Sequence, residues 1–276
     1  MPIRRYFSEE NLKRVSKDFK FLLKMVQNRY GEYDFAIRDN YFNIYYQGNS
    51  IAMVRINKAP RYTIVMSEKF FDGTKADNPK FYISKTYKDA KVRIKLETRQ
   101  LHRFFQVKHI EDFSSRVRKV NNGEEINFEQ ALITDNMNRE EYIIIDRQTT
   151  DTLLKKKRMD LLALRQVNDN KYNFEVVEVK LGKNKELKDA VISQLDFYVS
   201  HIRNNFIEYK NCFETNYEQK KKLGLIETPN FESIDIVGDV KGIIVVGGYY
   251  GYGLKHINEL KENHPSANVT QFRNVL

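Results

Sequence analysis

Two residues in the segment Phe174-Glu175-Val176-Val177-Glu178-Val179-Lys180-Leu181 break an otherwise apolar alternation. With the two-residue period of a strand, Phe174, Val176, Glu178 and Lys180 share one face, and Glu175, Val177 and Val179 share the other. An internal strand ordinarily carries Val or Ile at such positions, so an acid beside an ammonium group needs a chemical reason. A second lone acid, Asp160, interrupts the apolar run 159–164. A hairpin that sets Asp160 opposite Glu178 centres its turn on residue 169. Asn168-Asp169-Asn170 occupies that point with favoured turn residues, so turn and pairing specify the same register.

Two carboxylates at neighbouring positions repel unless a hard cation lies between them. Mg²⁺ takes oxygen ligands in octahedral geometry and keeps several waters. Asp160, Glu178 and a backbone carbonyl from Val179 suit it, and Mn²⁺ can substitute. A metal so held acidifies a bound water and offsets charge developing on a scissile phosphate. Lys180, beside that water, can position it, lower its pKa or stabilise the pentavalent transition state. On the apolar stripe of the next helix, Gln194 is either a satisfied core amide or an active-site contact. Tyr198, one turn later, is either core or faces a nearby phosphate. Lys155-Lys156-Lys157-Arg158 runs straight into Asp160, and Lys183, Lys185 and Lys188 follow Lys180. Each cluster is either a grip on backbone phosphates or a solvated loop.

The ordered set Asp160, Glu178-Val179-Lys180 and Gln194-Leu195-Asp196-Phe197-Tyr198 resembles the PD-(D/E)XK nucleases. Its Gln-x-x-x-Tyr element resembles the RecB-type and NucS-type branches. The likeness covers about residues 129–247, and Met159-Asp160 stands where the nominal motif has Pro-Asp. It implies a restriction-endonuclease-like αβββαβ core with a mixed sheet. It also implies a glutamate from the first helix; Glu129 is the match, with Glu124, Glu125, Glu140 and Glu141 as competing acids. Glu129, Asp160, Glu178 and the Val179 carbonyl would then hold Mg²⁺. The activity implied is endonucleolytic hydrolysis of DNA, duplex or structured, in repair and recombination or in restriction and defence. The alternatives are an inactive nucleic-acid-binding protein that keeps the fold, and a ribonuclease. Cutting both strands of a duplex at one site would favour a homodimer.

The surrounding pattern supplies elements to carry these residues. After Asn121-Asn122-Gly123, a helix is expected near 127, then strands over 141–147, 159–166 and 174–181. Helices over about 187–202 and 206–223 and a buried strand over 242–247 follow, an α/β layer order. Residues 247–253, rich in Gly and Tyr, read as a flexible turn. Residues 121–276 are therefore expected to form the catalytic domain. Residues 1–120 are expected to form a smaller α+β domain that binds nucleic acid. Its first helix is capped by Ser8, and antiparallel strands follow over 34–38, 41–47, 51–56 and 62–66. The basic stretch 85–119 is expected to be partly helical.

Composition is consistent with this reading. Among 276 residues, 47 Lys and Arg against 37 Asp and Glu give a formal net charge of +10, which favours polyanionic partners. The single Cys212 excludes an intramolecular disulfide and a cysteine zinc cluster. The five histidines show no metal spacing. No apolar run reaches the roughly 20 residues of a membrane span, and Met1-Pro2-Ile3-Arg4-Arg5 leads into polar sequence. A cytosolic protein without membrane contact is expected.

Overall fold

The chain is mixed α/β, with one antiparallel sheet of six strands and one mixed sheet of five. The computed structural model describes residues 3–29, 31–120, 123–155 and 157–272, so Asn121, Asn122 and Lys156 lie outside the described residues. Among the described residues no helix is long and apolar enough to cross a membrane. The chain divides into two compact units.

The N-terminal unit comprises Arg5–Gly123 and Gln219–Leu225. It runs α1 (Glu9–Asp18), α2 (Lys20–Asn28), β1 (Tyr33–Ile37), β2 (Tyr41–Tyr46), β3 (Asn49–Ile56), β4 (Arg61–Ser67) and α3 (Glu68–Phe71). Then come β5 (Ser84–Lys88), β6 (Lys91–Glu97), α4 (Thr98–Phe104) and α5 (Val107–Val120). The strands are ordered β1-β2-β3-β4-β6-β5, all antiparallel. Ser8 accepts from the Asn11 amide at 3.3 Å, as an N-cap should. The one helix expected after Ser8 is two, broken at Phe19. Its ring is fully buried and packs edge-on against Phe42 and Tyr62 at 4.9 and 5.1 Å. The stretch 85–119 also departs from expectation, because its first part forms β5 and β6 before α4 and α5 begin. Val92, Ile94 and Leu96 are fully buried while Lys91, Arg93 and Lys95 are exposed, the alternation of a half-buried strand.

The C-terminal unit is built mainly from Glu124–Glu218 and the segment that starts at Ile226. It contains α6 (Glu124–Asp135), β7 (Tyr142–Thr149), β8 (Met159–Asn168), β9 (Lys171–Leu181) and α7 (Ala190–Asn204). After these come α8 (Phe206–Lys222, whose residues 219–222 belong to the N-terminal unit), β10 (Asp235–Gly247), α9 (Tyr250–Asn263) and β11 (Val269–Gln271). Strand order is β11-β10-β9-β8-β7. The β7–β8 and β8–β9 pairs are antiparallel, whereas β9–β10 and β10–β11 are parallel. Helices cover both faces. On one, Leu132 and Phe128 of α6 pack with Leu161, Ala163, Val177, Val179 and Val245. On the other, Phe174 meets the rings of Phe206, Tyr209 and Phe213 at 6.2, 6.3 and 5.9 Å. Close packing requires small residues. A Cβ on Gly242 would lie 2.7 Å from Leu195 of α7, and one on Gly247 would lie 2.4 Å from the Phe128 ring. The expected flexible turn over 247–253 is instead interrupted by the start of α9 at Tyr250.

Candidate active site

The β8–β9 hairpin keeps the expected register over Leu161–Gln166, while the turn itself closes one residue out of it. Leu161 pairs with Val177, and the constant offset continues to Gln166 opposite Tyr172. A one-residue irregularity at Val167 follows, then Asn168 pairs with Lys171 around a tight turn. Asp169 takes the left-handed conformation, φ 40°, that Asn and Asp tolerate best. One step beyond Leu161 and Val177, the same register brings Asp160 to Glu178. Asp160 is held there by the Val179 amide, which donates to its Oδ2 at 2.9 Å.

Glu178 has no exposed surface. Its neighbour on β10 is Ile244, and Lys180 faces Val246, so apolar walls close this side of the site. Glu178 Oε1 accepts from Lys180 Nζ at 2.7 Å and from Gln194 Nε2 at 2.6 Å. Gln194 is therefore a direct partner of the buried acid, projected onto it from α7. Glu178 Oε2 is buried with no hydrogen-bond donor among the described residues. The Lys180 ammonium also lies 3.2 Å from Glu186, which is half exposed on the turn before α7.

Electrostatics follow from this enclosure. Burial, and then the neighbouring Asp160 charge, push the Glu178 carboxyl up to about 8. Burial raises Asp160 as well, against the pull of Lys180 and the Val179 amide. Burial and the mutual repulsion of the two charges therefore favour a proton held between the acids. Burial opposes the charge on Lys180, but Glu178 and Asp160 more than offset that and hold its pKa above the ordinary lysine value.

Glu129 sits on α6, 3% exposed. Its carboxylate accepts from Gln148 Nε2 at 3.2 Å and pairs with Arg147 Nη2 at 3.4 Å. Burial first, and the Asp160 charge second, raise it to about 7. Glu125, also on α6, is raised by burial and by Asp160, and lowered by Lys180. Both acids of α6 therefore feel the charge of the β8–β9 pair. Among the described residues, however, no group of three or more His, Cys, Asp or Glu side chains is placed to hold a metal ion.

The remaining expected residues are distributed around this centre. Tyr198 is 2% exposed, and its hydroxyl donates to the Arg158 carbonyl at 2.7 Å, fixing the entry to β8. Lys155, Lys157 and Arg158 are exposed, and Lys157 Nζ lies 4.1 Å from the centroid of the Phe197 ring. Lys183 is engaged by Glu124 at 2.6 Å and by the Tyr249 hydroxyl at 2.7 Å. Lys185 is exposed in the turn Lys185–Leu187.

Several participants escaped sequence reasoning. Arg147 is almost completely buried within β7 and binds both Glu129 and Gln130, the latter at 2.6 Å. A lone arginine after the apolar run Ile143-Ile144-Ile145 was its only signal. Asp151 Oδ2 accepts from the Tyr209 hydroxyl at 2.8 Å and lies 2.7 Å from His201 Nε2, while Oδ1 caps the amides of Leu153 and Leu154. This network pins the base of the loop that carries Lys155, Lys157 and Arg158. Its members are some 50 residues apart, so spacing could not reveal it. Comparison with protein-family models, curated proteins and solved structures returns no match.

Proposed function

We propose that the C-terminal unit is a metal-dependent nuclease that hydrolyses DNA phosphodiester bonds, with Asp160, Glu178 and Lys180 at its centre. One observation carries the reading: two touching carboxylates, one fully enclosed and left with a donor-free oxygen, beside an ammonium group. Such a pair holds either a shared proton or a cation, and Asp160 with Glu178 Oε2 presents the hard oxygen surface that Mg²⁺ or Mn²⁺ prefers. Waters and phosphate oxygens would complete a coordination shell that the protein alone leaves short. A bound divalent ion would supply a Lewis acid and an acidified water. The chain's own residues do the rest. Lys180 keeps its proton and presents positive charge to the phosphate. Gln194 orients Glu178, and Tyr198 anchors the start of β8. The succession α6-β7-β8-β9-α7, with β10 later, supports a PD-(D/E)XK core.

A second reading is favoured by Arg147, which already neutralises Glu129. On that reading the chain binds nucleic acid without cutting it. Cleavage of plasmid, single-stranded DNA and matched RNA, with Mg²⁺, with Mn²⁺ and with chelator, separates the readings. Metal-dependent cutting that Asp160→Ala and Lys180→Ala abolish, with DNA binding retained, is the expected result. Wild-type cutting by both variants would sink the site assignment, and no cutting of any substrate would leave the binding reading.

A further inference from the structure

The N-terminal sheet has one covered face and one open face. The covered face carries Phe42, Val54, Ile64 and Ile94, all fully buried in the core with the helices of that unit. By the same registers, the open face carries Lys91, Arg93 and Lys95 of β6, Lys88 of β5, Arg61 of β4 and Arg55 of β3. All six are exposed. Over β3 to β6 this face holds one acid, Glu97, which lies 3.2 Å from Arg99. Six cations less one acid leave +5, half of the chain's formal +10.

Arg61 stands opposite Glu97, but the cross-strand neighbours of Lys91, Arg93 and Lys95 do nothing to neutralise their charge. Lys91 stands opposite Lys88 and Ser67, Arg93 opposite Thr86 and Val65, and Lys95 opposite Ser84 and Thr63. Opposite charges across strands stabilise a sheet, and like charges directly opposite destabilise it. A face shaped only for solubility intersperses both signs. Here the like charges accumulate at a cost in stability, and a polyanion seated on the face would offset it. The face suits phosphates better than a lipid surface, because none of the exposed large apolar side chains among the described residues lies on it. Arg55 lies 5.3 Å from the centroid of the Tyr41 ring, which holds its guanidinium in place.

We propose that the open face of this sheet is a sequence-independent binding surface for nucleic-acid phosphates. The inference does not depend on hydrolysis by the acid pair. Its test is fluorescence anisotropy with the full chain and a labelled oligonucleotide, duplex or single-stranded, in chelator, across a salt series. The variant Lys91→Thr/Arg93→Thr/Lys95→Thr keeps strand-forming residues and removes three cations. Each lost phosphate contact lowers the slope of log affinity against log salt by roughly 0.9 on duplex and 0.7 on single strand, so a fall of about 2 to 3 is expected. Lys17→Gln/Lys20→Gln/Lys24→Gln, on exposed positions of α1 and α2, removes equal charge and is expected to shift the slope by less than about 1. Equal losses in both variants, or an unchanged slope in the first, would overturn the assignment. So would a first variant that loses binding to phosphatidylserine vesicles while keeping its affinity for both oligonucleotides. If the first variant fails to fold by circular dichroism, the single Arg93→Thr gives the same reading at a slope change of about 1. A chain that binds through this face and never cuts fails only as a nuclease. One that cuts, with unchanged affinity after the triple substitution, fails only here.

Discussion

Substituting Glu178→Gln measures the electrostatic cost built into the acid pair. The Glu178 carboxyl moves from an ordinary 4.5 to about 8 on folding. A raised carboxyl pKa means that the folded state binds the extra proton. Its contribution to stability is therefore complete below about pH 4.5 and is lost as pH rises through about 8. At 1.36 kcal/mol per unit, the full shift corresponds to an upper bound of about 5 kcal/mol. Sharing of the proton with Asp160 and relaxation of the surroundings reduce this to about 2–3 kcal/mol. Glutamine keeps an oxygen for Lys180 and Gln194, and its amide can donate toward Asp160 where the shared proton lies. Urea denaturation followed by far-UV circular dichroism in chelator, from about pH 5 to about pH 9, should show the two proteins equally stable at the acid end. The wild type should fall below the variant toward alkaline pH. Glu129 titrates in both proteins, so the difference reports the Glu178–Asp160 pair. Millimolar Mg²⁺ at alkaline pH should restore the wild type and leave the variant unchanged, because only the wild type gains a ligand by losing its proton. Parallel pH profiles for the two proteins would refute the shared-proton account.

Two further substitutions test the scaffold. Arg147→Ala leaves Glu129 buried without its cationic partner and should cost about 3–5 kcal/mol, more above the Glu129 pKa than below it, as read from urea midpoints at two pH values. A loss that is the same at both pH values would mean that packing of the arginine stem dominates. Gly247→Ala drives a methyl to within 2.4 Å of the Phe128 ring and should lower stability by about 1–3 kcal/mol. Phe128→Leu in the same chain should recover part of that loss, and a neutral Gly247→Ala would show that α6 shifts freely.

How far the site was legible depends on what kind of physics places each residue. The Asp160–Glu178 register could be read because strands obey a two-residue period and each acid was an exception to it, with Asp169 and its neighbours marking the turn. Gln194 was legible as an amide on an apolar helical stripe, although only the packing of α7 on β9 makes Glu178 its acceptor. The partners that set charge were not legible. Arg147 meets Glu129, and Glu186 meets Lys180, because α6 and the turn before α7 pack against the sheet, and no local pattern encodes that approach. The same limit hid β6. Its lysines and arginine look like a charge run if one counts charge, while Val92, Ile94 and Leu96 carry the strand period in between. At both places the informative feature is the alternation, not the charge. In β9 an apolar face admits Glu178 beside Lys180, and desolvation then favours a proton or a cation between Glu178 and Asp160 of β8. In β6 the solvent face carries Lys91, Arg93 and Lys95 with Glu97 only at its end, and water screens the cations until a polyanion arrives. Similar residue types thus lead to opposite expectations: strong dependence on pH and divalent ions at the acid pair, and strong dependence on monovalent salt at the open sheet.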